Sequence, residues 1–99
     1  MSIVNTWGQP KINVRNLNSP RTGNPVANQF KITLPDCVVF QSYNTVICRV
    51  SNCGKVFLDK HSWDYSQTTG KYRNQFLNEN KRETEKKIRS GEYQLIDLN

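Results

Sequence analysis

The stretch from Phe30 to Asp59, FKITLPDCVVFQSYNTVICRVSNCGKVFLD, decides the fold. In FKITL, residues 30–34, an extended chain puts Phe30, Ile32 and Leu34 on one side and Lys31 and Thr33 on the other, which is the two-residue period of a strand. Pro35 and Asp36 supply a turn, CVVFQSY resumes as a second strand, and the two read as a hairpin. Tyr43-Asn44 is the next turn, with Asn44 as the residue that tolerates a positive φ. TVICRV follows, Val46, Cys48 and Val50 alternating against Ile47 and Arg49, and SNCG at 51–54 turns the chain into KVFL. The middle of the chain is therefore a four-stranded meander.

Beyond Asp59 the β-branched enrichment stops and helical spacing takes over. Ser66, Thr68 and Thr69 offer N-cap hydroxyls, and Tyr72, Phe76 and Leu77 fall on one stripe, predicting a helix over about 67–78. Asn80 with Glu83 resembles a capping box, Glu83–Lys87 and Glu85–Arg89 are favourable pairs one turn apart, and Gly91 fits the C′ position, predicting a second helix over about 81–90. Its only strongly apolar residue is Ile88, so it is a surface helix anchored at one point. EYQLIDL closes the chain as a candidate last strand.

Toward the N-terminus, residues 1–28 hold six Asn, three Pro and two Gly, with apolar residues too widely spaced for a helix. Proline removes a backbone donor and biases its predecessor toward extended geometry, so residues 1–26 read as an extended basic arm. KINVRNL, residues 11–17, is its best strand candidate. Residues 27–99 then form one α+β domain: an antiparallel sheet of about four or five strands with two C-terminal helices packed on one face.

A chain of 99 residues fits one modest core and leaves little room for a deep active-site cleft. No run approaches the ~20 apolar residues of a membrane span, and MSIVNTWGQP lacks the pattern of a secretory signal. The expected location is the cytoplasm, and Cys37, Cys48 and Cys53, an odd set partly in strand-like runs, are expected to be reduced.

The net charge of +6 is uneven. Lys11, Arg15, Arg21 and Lys31 stand in residues 1–35 without an acid, and residues 71–89 carry seven bases against three acids. Such blocks attract nucleic acid or an acidic protein surface, and they also keep a small protein soluble. The binding candidates are Lys71, Arg73, Lys81, Arg82, Lys86, Lys87 and Arg89 on a basic helical face, with Lys11, Arg15 and Arg21 on the arm.

Catalysis finds less support. His61 is the only histidine, and Asp59, His61, Ser62 and Asp64 are too close in sequence to converge as nucleophile, base and orienting group. Cys48, Cys53 and His61 lack the close cysteine pair of a zinc site, even with Cys37 added, so no metal is expected. TTGK at 68–71 lacks P-loop spacing, which excludes nucleotide hydrolysis on that pattern, although a helix start with these residues can hold an anion weakly. Trp63, Tyr65 and Tyr72 supply rings for nucleic acid. Trp63 and Tyr72, however, lie where the helix must dock on the sheet and read as core before stacking platforms.

The segments ANQFKI (27–32), VVFQSYNTVICRV (38–50), WDYSQTTGKYRNQFL (63–77) and ETEKKIRSGEY (83–93) resemble a widespread family of small proteins from bacteriophages and other mobile elements of bacteria, a domain of unknown function. The likeness covers residues 27–99 and brings no catalytic residues or cofactor with it. What it implies is a non-enzymatic binder that inhibits a host protein or ribonucleoprotein complex, as anti-CRISPR and other counter-defence proteins do. The alternative is direct binding of DNA or RNA in phage replication or regulation.

Overall fold

The computed structural model describes residues 12–99. One sheet contains β1 (Asn13–Asn18), β2 (Pro25–Thr33), β3 (Cys37–Ser42), β4 (Thr45–Ser51), β5 (Val56–Asp59) and β6 (Tyr93–Ile96). Two helices, α1 (Gln67–Leu77) and α2 (Lys81–Arg89), come between β5 and β6. Spatial order follows chain order; β1 to β5 pair antiparallel, and β6 joins β5 in parallel. Parallel neighbours need a crossover, so residues 60–92 carry both helices over the sheet.

The fold is α+β as the periodicity predicts, with six strands in place of four or five. The added strand is β1, which lies in the stretch read as an arm and pairs with β2 from Asn13↔Thr33 to Asn18↔Pro25. Of the arm, residues 1–11, with Lys11 among them, lie outside the described residues.

Register explains which residues are interior. Phe40, Cys48 and Leu58 are successive cross-strand partners, as are Val38, Val50, Val56 and Tyr93, and all of these share one face. That face meets the helices: Phe76 of α1 stacks on Phe40 with ring centroids 5.8 Å apart, and Tyr72 joins the same buried cluster. A bulge on β4 strengthens this core, because Phe40 pairs with Cys48 while Gln41 pairs with Val46, leaving Ile47 as the extra residue. Ile47 and Cys48, adjacent in sequence, are consequently both fully buried in one cluster.

The other face carries the row Val14, Ile32, Val39, Arg49, Phe57 and Gln94, each paired with the next across all six strands. Arg49 lies over the Phe57 ring, 4.9 Å from its centroid. The alternation in FKITL is thus real, but Phe30 and Ile32 point away from the helices, while Lys31 pairs with Phe40 on the helix side.

Local signals place the helix ends. Ser66 caps α1 by accepting from the Thr69 amide, and Asn78 ends it in the left-handed region at φ 56°. The Asn80–Glu83 capping box opens α2, and Gly91 follows it at φ 85°. One turn departs from expectation: Tyr43, and not Asn44, takes the positive φ, at 55°, and its amide donates to Asn28 O over 2.6 Å.

Candidate anion-binding site

The head of α1 gathers the chemistry of WDYSQTTGKYR. Ser66, an extended N-cap, starts a helix with no acidic residue in its first turn, so the positive end of the dipole is not neutralised from within. The amides of Gln67 and Thr68 precede the point where the helix's own hydrogen-bond ladder begins.

Arg73 lies one turn in from Thr69 and one turn before Phe76 and Leu77, on the inner stripe of α1, and is fully buried. This corrects its placement on an outward basic face. Its guanidinium donates to Trp63 O at 2.7 Å, Asp64 Oδ1 at 3.1 Å and Asn74 Oδ1 at 2.9 Å, and lies 5.1 Å from the centroid of the Trp63 ring. Burying an ion requires such partners, and a flat guanidinium meets them on several sides at once. Trp63 therefore serves the junction, half-buried against the core, as its position in sequence suggests.

Asp64 joins the two helices. Its second oxygen, Oδ2, takes Lys81 of α2 at 2.7 Å. Burial pushes the Asp64 carboxyl up, but hydrogen bonds from Lys81 and Arg73 outweigh that and hold it below the usual carboxylate value. The hydrogen bond to Asp64 raises Lys81 in return. Around this pair an open cleft of about 480 Å³ is lined by Asp64, Ser66, Gly70, Lys71, Arg73 and Lys81, among others. Three cations face one carboxylate there. A second depression of about 320 Å³ shares the Ser66 wall and is lined by Ser42, Tyr43, Tyr65, Thr68 and Thr69.

The other predicted binding residues disperse. Lys87 is tied to Glu79 at 2.8 Å, with its ammonium 5.3 Å from the centroid of the Tyr93 ring. Arg82, Lys86 and Arg89 are exposed on α2, and none makes an ion pair among the described residues. Arg15 and Arg21 are exposed on β1 and on the turn after it. Lys86 and Lys87 line another depression, of about 400 Å³, beside Glu83 and Glu92, whereas Lys71, Arg73 and Lys81 share the cleft at the head of α1, where they face a single carboxylate.

Two carboxylates that the sequence reading left out of any site are structural anchors. Glu79, with its side chain 4% exposed, accepts from Thr84 Oγ1, Lys87 Nζ and Tyr93 Oη at 2.6–2.8 Å, fastening the α1–α2 link to β6. Burial raises its carboxyl, and those bonds more than reverse the rise. Asp59, also buried, accepts from the Leu98 amide at 2.9 Å. Glu79 stands between Asn78 and Asn80 in the short link from α1 to α2, a polar run in which nothing in the sequence offers a hint of its burial. Asp59, at a strand end, offered none either.

Cys37 and Cys48 are buried on opposite faces of the sheet, and Cys53 is exposed. Among the described residues no three His, Cys, Asp or Glu side chains converge to hold a metal ion, and no helix is long and apolar enough to cross a membrane. Residues 12–92 match the model of a family of unknown function (DUF8033). No curated protein and no solved structure matches the chain.

Proposed function

The chain belongs to this family, and for it we propose a non-enzymatic binding protein of bacteriophage origin that seats an anionic group of its partner in the cleft at the head of α1. The partner is a host protein or ribonucleoprotein complex, a defence complex of the kind that anti-CRISPR proteins inhibit, met in the host cytoplasm. One observation carries the reading: Lys71, Arg73 and Lys81 surround a cleft whose single carboxylate is Asp64, beside a helix whose first turn itself carries no acid. Arg73 is fixed and buried, Lys81 is already paired, and Lys71 is the exposed cation that a partner meets first. Fixed positive charge beside unused helix amides suits phosphate or carboxylate groups.

A second reading, direct binding of DNA or RNA in phage replication or regulation, is favoured by the adjoining depression with its two exposed tyrosines. Affinity capture from the bacterial host with wild type and Lys71→Glu tests the first. A partner held by wild type after nuclease treatment and released by Lys71→Glu supports it. A partner held equally by both refutes the cleft as the site.

A further inference from the structure

Tyr43 and Tyr65 come from different loops, the β3–β4 turn and the run before α1, yet they line the same depression. Both are largely in solvent, 57% and 66% exposed, whereas Tyr72 and Tyr93 are buried in the core. The wall between them is made of hydroxyls, from Ser42, Ser66, Thr68 and Thr69. A phenol offers a flat π face with few rotatable bonds, so exposed tyrosines around a polar depression suit a planar ring with polar edges. The Ser66 and Thr69 hydroxyls are tied to each other at 3.0 Å, and the exposed Thr68 offers the hydroxyl that can donate to or accept from the edge of a base.

This depression shares the Ser66 wall with the cationic cleft. Arg73, fully buried in the lining of that cleft, has an Nε with no partner among the described residues, so its polar capacity is not used up within the fold. We propose that the two depressions together hold a nucleotide unit of single-stranded nucleic acid, with a backbone phosphate beside Lys71 and Lys81 and the base against Tyr43 and Tyr65. The inference rests on the second reading above, direct binding of DNA or RNA, and on the cleft being the binding site. A base within a duplex has both faces covered by its neighbours, so a single strand is the form that fits, with little sequence preference.

Three probes separate the parts: a labelled oligothymidylate, an abasic deoxyribose-phosphate strand of equal length, and polyphosphate as a competitor, all titrated at low salt by fluorescence anisotropy. The oligothymidylate binds tightest. Tyr43→Ala and Tyr65→Ala each weaken it about 5-fold or more, in keeping with the stacking of a single base. Tyr43→Phe and Tyr65→Phe, which keep the ring, do not. Lys71→Glu weakens all three probes. Equal affinity for the abasic and base-bearing strands, or indifference of the latter to both alanine variants, overturns the base site, while a Lys71-dependent polyphosphate affinity leaves the cleft standing. Indifference of every probe to Lys71→Glu removes the cleft and the inference together.

Discussion

Arg73 Nη1 stands 3.1 Å from Asp64 Oδ1, a fully buried cation held by a carboxylate at the rim of the same cleft. Removing one partner of such a pair leaves the other charge without compensation, and that cost exceeds the net worth of the pair. Asp64→Ala is therefore expected to lower stability by about 2–3 kcal/mol, toward the low side because Trp63 O and Asn74 still accept from the guanidinium. Urea unfolding checks it. A loss under about 0.5 kcal/mol, typical of an ordinary surface change, would mean that Arg73 does not need the carboxylate.

The Glu79–Lys87–Tyr93 cluster sets opposite pH limits. Glu79 is held below its ordinary 4.5, so its contribution is present above that value and fades as pH falls through the folded pKa. Tyr93 is pushed up from 10.0 to about 12, by burial first and Glu79 second, so its contribution is present below pH 10 and fades as pH rises through about 12. Unfolding free energy should be flat between these limits on account of this cluster. Glu79→Gln should flatten the acid limb and move the Tyr93 phenol back toward 10, read by ultraviolet absorbance; an unchanged phenol titration would show that the two groups are not coupled.

The cations of α2 divide by partner. Arg82→Ala, Lys86→Ala and Arg89→Ala should each stay within about 0.5 kcal/mol of wild type, because exposed charges without a fixed partner contribute little. Lys87→Ala should cost about 1–2 kcal/mol, since it takes a donor from the nearly buried Glu79 carboxylate. Thermal melts of the four variants would expose any inversion of that order.

Tyr43 occupies a turn position at φ 55° that glycine fills at lower cost. Tyr43→Gly should raise stability by about 1 kcal/mol while losing the exposed ring. A loss of stability would mean that the phenol packs in a way its 57% exposure does not suggest.

Most of the architecture was legible because it follows from local chemistry. Alternation delineated β2 to β5, and Ser66, Asn80 and Gly91 marked the helix ends within a residue or so. Alternation does not say which face carries the helices when both are apolar, and Val39, Ile32 and Phe57 made the open face look much like the core. Charge counting likewise gave no direction to Arg73. Its spacing from Phe76 and Leu77 did carry that direction, and the stripe Thr69, Arg73, Phe76, Leu77 reads as inward once a buried guanidinium is allowed. The meeting of Tyr43 with Tyr65 was beyond sequence, because it depends on a turn after β3 reaching the loop before α1.

Because spatial order repeats chain order from β1 to β5, each hairpin can zip onto its predecessor with only a short loop to close, the fast route for a β protein. The parallel strand is different. Tyr93 pairs with Val56 across a connection that carries both helices, a far longer loop to close than any hairpin turn, so Tyr93, Glu79 and Asp59 are expected to act as a late latch. Destabilising that latch should speed unfolding and leave the refolding rate nearly untouched, which makes kinetic persistence a property of the last strand to arrive.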